Sequence, residues 1–416
     1  MKTFVLAVFC TVYLGMILGG LPYLRVDRTG IALLGAIALV ASEIVGVDEA
    51  WRAVHIPTLT LLFSFMVIAA QLRMGGFYAA VTRRVGTLDV SPAALLAVVM
   101  AISAAMSAVF TNDVVCLATA PVLAAICRER RLDPVPYLIG LACAANIGSA
   151  ATLIGNPQNI LIGETLRLSF ADFLATAWVP VVLSLAAAWG VVVAANRRRW
   201  HDGALSDSAS NPSGLPVASV EPELDCWQSA KGLAVAIALF AGFVFSPWPR
   251  DLMALAGAGL LLTSRTLHSE RVLGHVDWQL LILFIGLFVV NHAVQRTGLA
   301  DAAVADLARA GIGLSSIPVL ATAAFVLSSV VSNVPAVMLL LPSAHDHAAG
   351  VALALSSTLS GNLLIVGSVA NIIVVDAAAR AGIAIDWRRH ARIGIPVTLV
   401  TLAVAAAWLG FRRGGA

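Results

Sequence analysis

Charge is scarce in this sequence of 416 residues: Asp, Glu, Lys and Arg together make up 12% of it, about half the share in an average soluble domain. Hydrophobic residues make up 60%, more than a soluble core can absorb, and they recur in long runs along the whole chain. A catalytic domain outside a bilayer is thereby excluded, and the chain reads as a protein of many membrane spans. Cysteine is equally sparse. Cys10, Cys116, Cys127, Cys143 and Cys226 show no CxxC spacing, so neither a zinc site nor a disulfide framework is indicated, and they read as small apolar fillers. There is no HExxH, no GxSxG and no pair of aspartates at helix centres, which argues against an intramembrane enzyme. No cofactor is called for. The formal net charge is only +3, with Arg in short clusters between apolar runs. That pattern sets orientation in a bilayer and is not a nucleic-acid footprint.

What is present is a series of apolar runs at about the 20 residues that a span needs, near 4–21, 29–47, 56–73, 173–195, 231–247, 251–265, 277–296 and 393–410. The first has the basic start of a signal peptide but lacks an Ala-x-Ala-like cleavage site, so it reads as a span. Two further stretches, about 91–163 and 313–379, are apolar but broken repeatedly by Asn, Gly, Pro, Ser and Thr. One extended polar segment, 197–230, opens on Arg197-Arg198-Arg199 and cannot bury apolar area; it reads as a flexible cytoplasmic linker.

The two broken stretches match each other. Phe110 to Pro121 faces Val331 to Pro342, with Asn112/Asn333 and Pro121/Pro342 both 221 residues apart. Ile154 to Glu164 faces Val366 to Asp376, with Gly155/Gly367, Asn159/Asn371 and Glu164/Asp376 all 212 apart. Arg128, Arg130 and Arg131 in the first half stand against His345-Asp346-His347 in the second. Arg-rich loops favour the cytoplasm, and about ten crossings place every such cluster inside. The expected fold is thus all-α and polytopic, with two inverted-topology repeats of about ten spans, two re-entrant hairpins and two broken helices. Its parts are 1–196 (hairpin about 91–127, broken helix about 136–163), the linker 197–230, and 231–416 (hairpin about 313–345, broken helix about 350–379).

Backbone that unwinds at membrane depth survives only where it is buried in protein or lines a polar cavity. Gly155-Asn156-Pro157-Gln158-Asn159 is such a segment, since Pro157 lacks an N–H and Gly155 permits a tight turn. A helix from about 136 should break near 155 and restart near 158. The break bares carbonyls on one half-helix and N–H groups on the other, ends that suit cations and anions respectively. Asn146, Thr152, Asn156, Gln158 and Asn159 add neutral ligands, and Thr358, Asn362, Gly367, Ser368 and Asn371 do so in the second half. The hairpin tips are Thr111-Asn112-Asp113 and Ser332-Asn333, between arms that look too short to cross separately. Asp113 is the sharpest single residue, because a carboxylate at membrane depth usually marks an ion path or proton relay, and a proton and a cation compete for it. Cys116 and Cys127, on the second arm of the first hairpin, suit soft arsenic(III), although no third thiol is near in sequence. Glu43, Gln71, Asn291 and His292 lie toward the ends of apolar runs, where snorkelling or helix pairing accounts for them.

At TNDVVCLATAP, NIGSAATLIGNPQN, SNVPAVMLLLP and SGNLLIVGSVAN the chain resembles the ion transporter superfamily, which includes arsenite-efflux permeases, citrate and dicarboxylate carriers and one class of Na⁺/H⁺ antiporters. The resemblance covers nearly the whole chain. It implies that the Asn112 tip with Gly155 to Asn159 forms one ion site, and Asn333 with Gly367 to Asn371 the other or the substrate site. It also implies a scaffold part, an elevator-type moving part and often a homodimer. Sodium-coupled dicarboxylate carriers resemble Ser-Asn-Thr at both tips, whereas this chain has Thr-Asn-Asp and Ser-Asn-Val. The second Thr, which helps hold a substrate carboxylate in those carriers, is missing on both sides. The weight therefore shifts toward arsenite permease-like or antiporter-like members. The expected function is secondary active transport of a small anion or arsenite coupled to H⁺ or Na⁺, in the plasma (inner) membrane; a Na⁺/H⁺ antiporter using Asp113 is the alternative. A channel is disfavoured, since hairpins block both sites.

Overall fold

The structure is a computed structural model that describes residues 1–20, 25–197, 200, 224–264 and 267–414. Among the described residues it is helical throughout, with no strand, as hydrocarbon demands of a chain whose backbone must satisfy itself within each segment. Helices α1 (Lys2–Leu18), α2 (Arg28–Ala41) and the short α3 (Val47–Ala53) lead into α4 (Ile56–Met74) and α5 (Phe77–Gly86). Then come α6 (Pro92–Val109), α7 (Asn112–Glu129), α8 (Pro134–Ser149), α9 (Pro157–Thr165) and α10 (Phe170–Asn196). The second part holds α11 (Cys226–Phe245), α12 (Arg250–Leu262), α13 (Ser269–Leu273), α14 (Trp278–Arg296), α15 (Leu299–Arg309), α16 (Ile317–Val331) and α17 (Asn333–Leu340). It closes with α18 (His347–Ser360), α19 (Val369–Arg380) and α20 (Trp387–Gly414).

Local chemistry sets these boundaries. The side chains of Asp27, Ser91, Asp133, Asn156, Ser169, Asp225, Asp277 and Asp346 each accept a hydrogen bond from a backbone N–H of the helix they precede, and α6, α8 and α9 carry proline in the first turn. Among the described residues six helices are long and apolar enough to cross a membrane: α4, α6, α10, α11, α14 and α20. Three expectations need correction. The run 29–47 stops as a helix at Ala41, because Glu43 takes a left-handed φ of 57° and turns the chain into α3. The run 251–265 yields only the 13 residues of α12. The first hairpin's leading arm is not too short: α6 has 18 residues, about 27 Å at helical rise. Of the segment 197–230, residues 198, 199 and 201–223 lie outside the described residues. Its last part is already helix α11, started where Asp225 accepts from the N–H groups of Trp227 and Gln228.

The helices pack as two groups. In one, α4 lies against α11 and α12, and α14 lies against α1 and α2. Gln71 Nε2 donates to Gln228 Oε1 at 2.8 Å, the helix pairing expected of an amide toward the end of a span. Glu49 on α3 accepts from His292 and pairs with Arg296; the His292 contact, first of several causes, holds Glu49 below the usual carboxylate range. In the other group α8 is buried along its whole length between α6, α7 and α10. Gly148 lets α8 meet the backbone of α6, since a Cβ there would lie 2.3 Å from Ala104 Cα, the close approach that small residues permit between membrane helices.

Candidate functional site

The first break is longer than the sequence suggests: α8 ends at Ser149 and α9 begins at Pro157. The seven intervening residues are all buried. Their backbone packs between the end of α8 and the first hairpin: a Cβ on Gly155 would lie 2.3 Å from Ser149 O of α8 and 2.8 Å from Ser107 O of the hairpin. The hairpin tip docks on this break, with Asn112 N donating to Gly155 O at 3.2 Å and Thr152 Oγ1 donating to Ala108 O. Asn156 serves as the cap of α9, accepting from Asn159 N at 2.9 Å.

The second break runs between α18 and α19 and contains the 3₁₀ turn Ile365–Gly367. Two asparagines tie the breaks in the same way. Asn159 Nδ2 donates to Ser149 O at 3.3 Å and Thr152 O at 2.9 Å. Asn371 Nδ2 donates to Gly361 O at 2.7 Å and Leu364 O at 3.0 Å. Donor and acceptors in the second set stand 212 positions after those in the first.

Each half also reaches into the other, again from positions 212 apart. Asn146 Nδ2 donates to Asn362 Oδ1 at 3.0 Å and Asn371 Oδ1 at 3.2 Å, while its Oδ1 accepts from Asn112 Nδ2 and Ser368 Oγ, both at 2.9 Å. Thr358 Oγ1 accepts from Asn156 Nδ2 and Gln158 Nε2, both at 3.2 Å, and faces Asn159 Oδ1 at 3.4 Å. Residues of the first break and of the second are therefore hydrogen-bonded to each other through Asn146 and Thr358. Ser149 joins the two clusters by accepting from Asn156 Nδ2 and donating to Asn146 O. The side chains of this network are neutral amides and hydroxyls, and all are buried. An ionisable group also reaches it: His390, whose Nε2 lies 3.2 Å from Asn362 O.

Several buried polar atoms of this region have no partner among the described residues: Ser107 Oγ and Asn112 Oδ1 at one tip, Ser328 Oγ and Asn333 Oδ1 at the other, and Asn362 Nδ2 at the second break. Orphaned buried groups of this kind call for an explanation such as an ion or a ligand. Asn333 lies beside the second break, its Nδ2 3.3 Å from where a Cβ on Gly361 would stand. Ser332, before it, holds a φ of 92°, in the left-handed region that a non-glycine residue occupies only under strain. Thr111 is buried and precedes α7 in extended conformation. Gly367 is buried at the end of the 3₁₀ turn. Asp113, the last residue of the first tip, is only partly buried, and among the described residues it makes no hydrogen bond to the amide network. Glu164 and Asp376 pair with Arg250 at 2.9 Å and Arg380 at 2.7 Å, away from the centre.

Sequence reasoning missed Ser107 and Ser328, although their separation is the same 221 residues as that of Asn112 and Asn333. It also missed Ser149, whose Oγ accepts from Asn156 Nδ2 at 3.0 Å, and His390, which arrives from α20.

Comparison with known proteins bears on this arrangement. The profile of the citrate transporter family matches residues 4–352. An uncharacterized transporter of Mycobacterium tuberculosis is 30% identical over 418 aligned residues, covering 93% of this chain and 94% of the relative. The silicon efflux transporter LSI3 of Oryza sativa subsp. japonica is 27% identical over 458 aligned residues, covering 94% and 93%. Among solved structures, the YdaH transporter of Alcanivorax borkumensis superposes with a TM-score of 0.56 at 15% identity, over 99% of this chain and 97% of that one, which shows a shared fold.

Proposed function

Because the chain belongs to the citrate transporter family, and is accordingly a multi-pass membrane transporter and not an enzyme, we propose that it is a secondary active carrier of a small anion or arsenite, coupled to H⁺ or Na⁺. The observation that carries this reading is the buried amide network joining two helix breaks, with unpartnered oxygens at both hairpin tips. Neutral oxygens in a dry site suit a dehydrated Na⁺, and amide and hydroxyl donors suit the oxygens of an oxyacid. Ser107 Oγ with Asn112 Oδ1, and Ser328 Oγ with Asn333 Oδ1, are the residues that would hold Na⁺ at each tip. Transport of silicon by one relative and of citrate by the family is in keeping with an oxygen-rich solute.

The repeated hydrogen bonds at a spacing of 212 residues support two repeated halves, which this reading takes as inverted in topology, with about ten spans in all. In this reading the group around α4, α11, α12 and α14 stays fixed while the group around α6, α8, α10, α18 and α20 moves with the site, each protein working as a homodimer in the plasma (inner) membrane. Asp113, half-buried one residue from Asn112, favours a second reading, Na⁺/H⁺ exchange.

Uptake into proteoliposomes under an imposed pH or Na⁺ gradient, with arsenite, silicic acid and citrate offered in turn, tests both. Saturable uptake of one solute that follows a gradient is the expected result. Proton movement driven by Na⁺ alone would replace it with the exchanger reading, and linear, unsaturable flux would contradict a carrier.

A further inference from the structure

On α14, His292 is taken up by Glu49 and the Asn291 oxygen by Tyr13, but the Asn291 Nδ2 donor lacks a good acceptor. Asn291 is 8% exposed, in the interior of a span. Its Oδ1 accepts from Tyr13 Oη of α1 at 2.9 Å, which fixes the amide so that Nδ2 points the other way. There the partner is the Met338 thioether at 3.7 Å, a weak acceptor. An amide donor this deeply buried and this poorly matched calls for a better acceptor.

Asn291 and Gln295, one helical turn apart, both line two cavities of about 430 and 650 Å³ that share these residues with Met338 and Pro342. The two cavities thus form one crevice. Its walls come from both helix groups, with α14 on one side and α9 and α17 on the other. The latter two walls lead to the amide network. Leu161 is two residues along α9 from Asn159, about 3 Å, and Met338 is five along α17 from Asn333, about 7.5 Å, at helical rise. The crevice is open, since Gln295 on its wall is exposed.

We infer that this crevice is the vestibule on the face where α9 and α17 end, and that Asn291 is a specificity-determining residue there. In it Asn291 Nδ2 donates to an oxygen of a small hydroxylated or oxyanionic solute on its way to the network. The stationary group then takes part in selection, in addition to the hairpin tips. Tyr13 is a positioning residue, acting through Asn291.

This rests on the transport reading above, and uptake of arsenite, silicic acid or citrate by the unaltered protein establishes that reading by itself. The test then compares three variants. Asn291→Ala should raise the apparent constant for the transported probe about tenfold, the loss of one hydrogen bond to solute, with maximal rate little changed and a modest loss of folded yield because the buried Tyr13 hydroxyl loses its acceptor. Tyr13→Phe, which removes the tie to α1 but keeps the amide, should raise it by less than about threefold. Gln295→Cys, with the exposed Cys10 and Cys226 replaced by serine, should react with a membrane-impermeant thiosulfonate from one face only. That arm reads the crevice without any flux. Equal effects of Tyr13→Phe and Asn291→Ala would mean that the amide merely ties α14 to α1, and Gln295→Cys inert from both faces would mean that no vestibule exists; either overturns the inference.

Discussion

Asn146 is where the two halves meet, since its one amide joins the Asn112 tip to Asn362, Asn371 and Ser368 of the second break. Asn146→Ala leaves buried donors and acceptors without partners on four side chains. It should lower thermal stability by about 1–3 kcal/mol, the penalty for stranding buried polar groups, and reduce transport at least about tenfold, both measurable on detergent-purified protein and in proteoliposomes. Asp113→Asn should leave folded yield unchanged, because the carboxylate makes no hydrogen bond to the network, and should leave gradient-driven solute uptake close to that of the unaltered protein, whereas loss of coupling with solute exchange retained would favour the Na⁺/H⁺ exchange reading. Gly155→Ala should abolish transport, since its Cβ would fall on backbone atoms of Ser149 and Ser107 that cannot move aside. At this scale the sequence was informative about the asparagines, because their spacing repeats. It was silent on how Asn146 and Thr358 cross between halves, because a bond between residues separated by about 200 positions depends on packing and leaves no local pattern.

Among the elements, the broken helices and hairpins could be read from Pro157, Gly155 and the polar tips, but their lengths could not. The break at 150–156 exceeds what proline alone requires because the segment wraps the first hairpin, a tertiary contact. The early end of α2 likewise depends on the left-handed turn at Glu43, which no residue pattern announces. Glu164 carries a consequence at this scale. Arg250 of α12 bonds its carboxylate and the carbonyls of Gly163 and Leu168, clasping the turn between α9 and α10 to the other helix group. Both side chains are largely buried, so Arg250→Ala should destabilise the fold by about 3 kcal/mol, read as a lower melting temperature in detergent, and should ease movement of one group past the other, read as faster solute exchange.

Across the whole molecule, the halves carry matched hydrogen bonds at a constant spacing, yet the loop Arg128 to Arg131 is basic where His345 to His347 is not. If the halves are inverted, Arg130→Cys and His345→Cys will be labelled by an impermeant thiol reagent from opposite faces, and labelling of both from one face would rule out inversion. The central claim is that solute and coupling ion meet at the amide network. It is tested most directly by gradient-driven uptake of arsenite, silicic acid and citrate in proteoliposomes, comparing the unaltered protein with the paired variant Asn112→Ala and Asn333→Ala. The account predicts saturable, gradient-dependent uptake of at least one solute by the unaltered protein, with the apparent constant raised about tenfold or more in the variant. Equal uptake by the two proteins would contradict it.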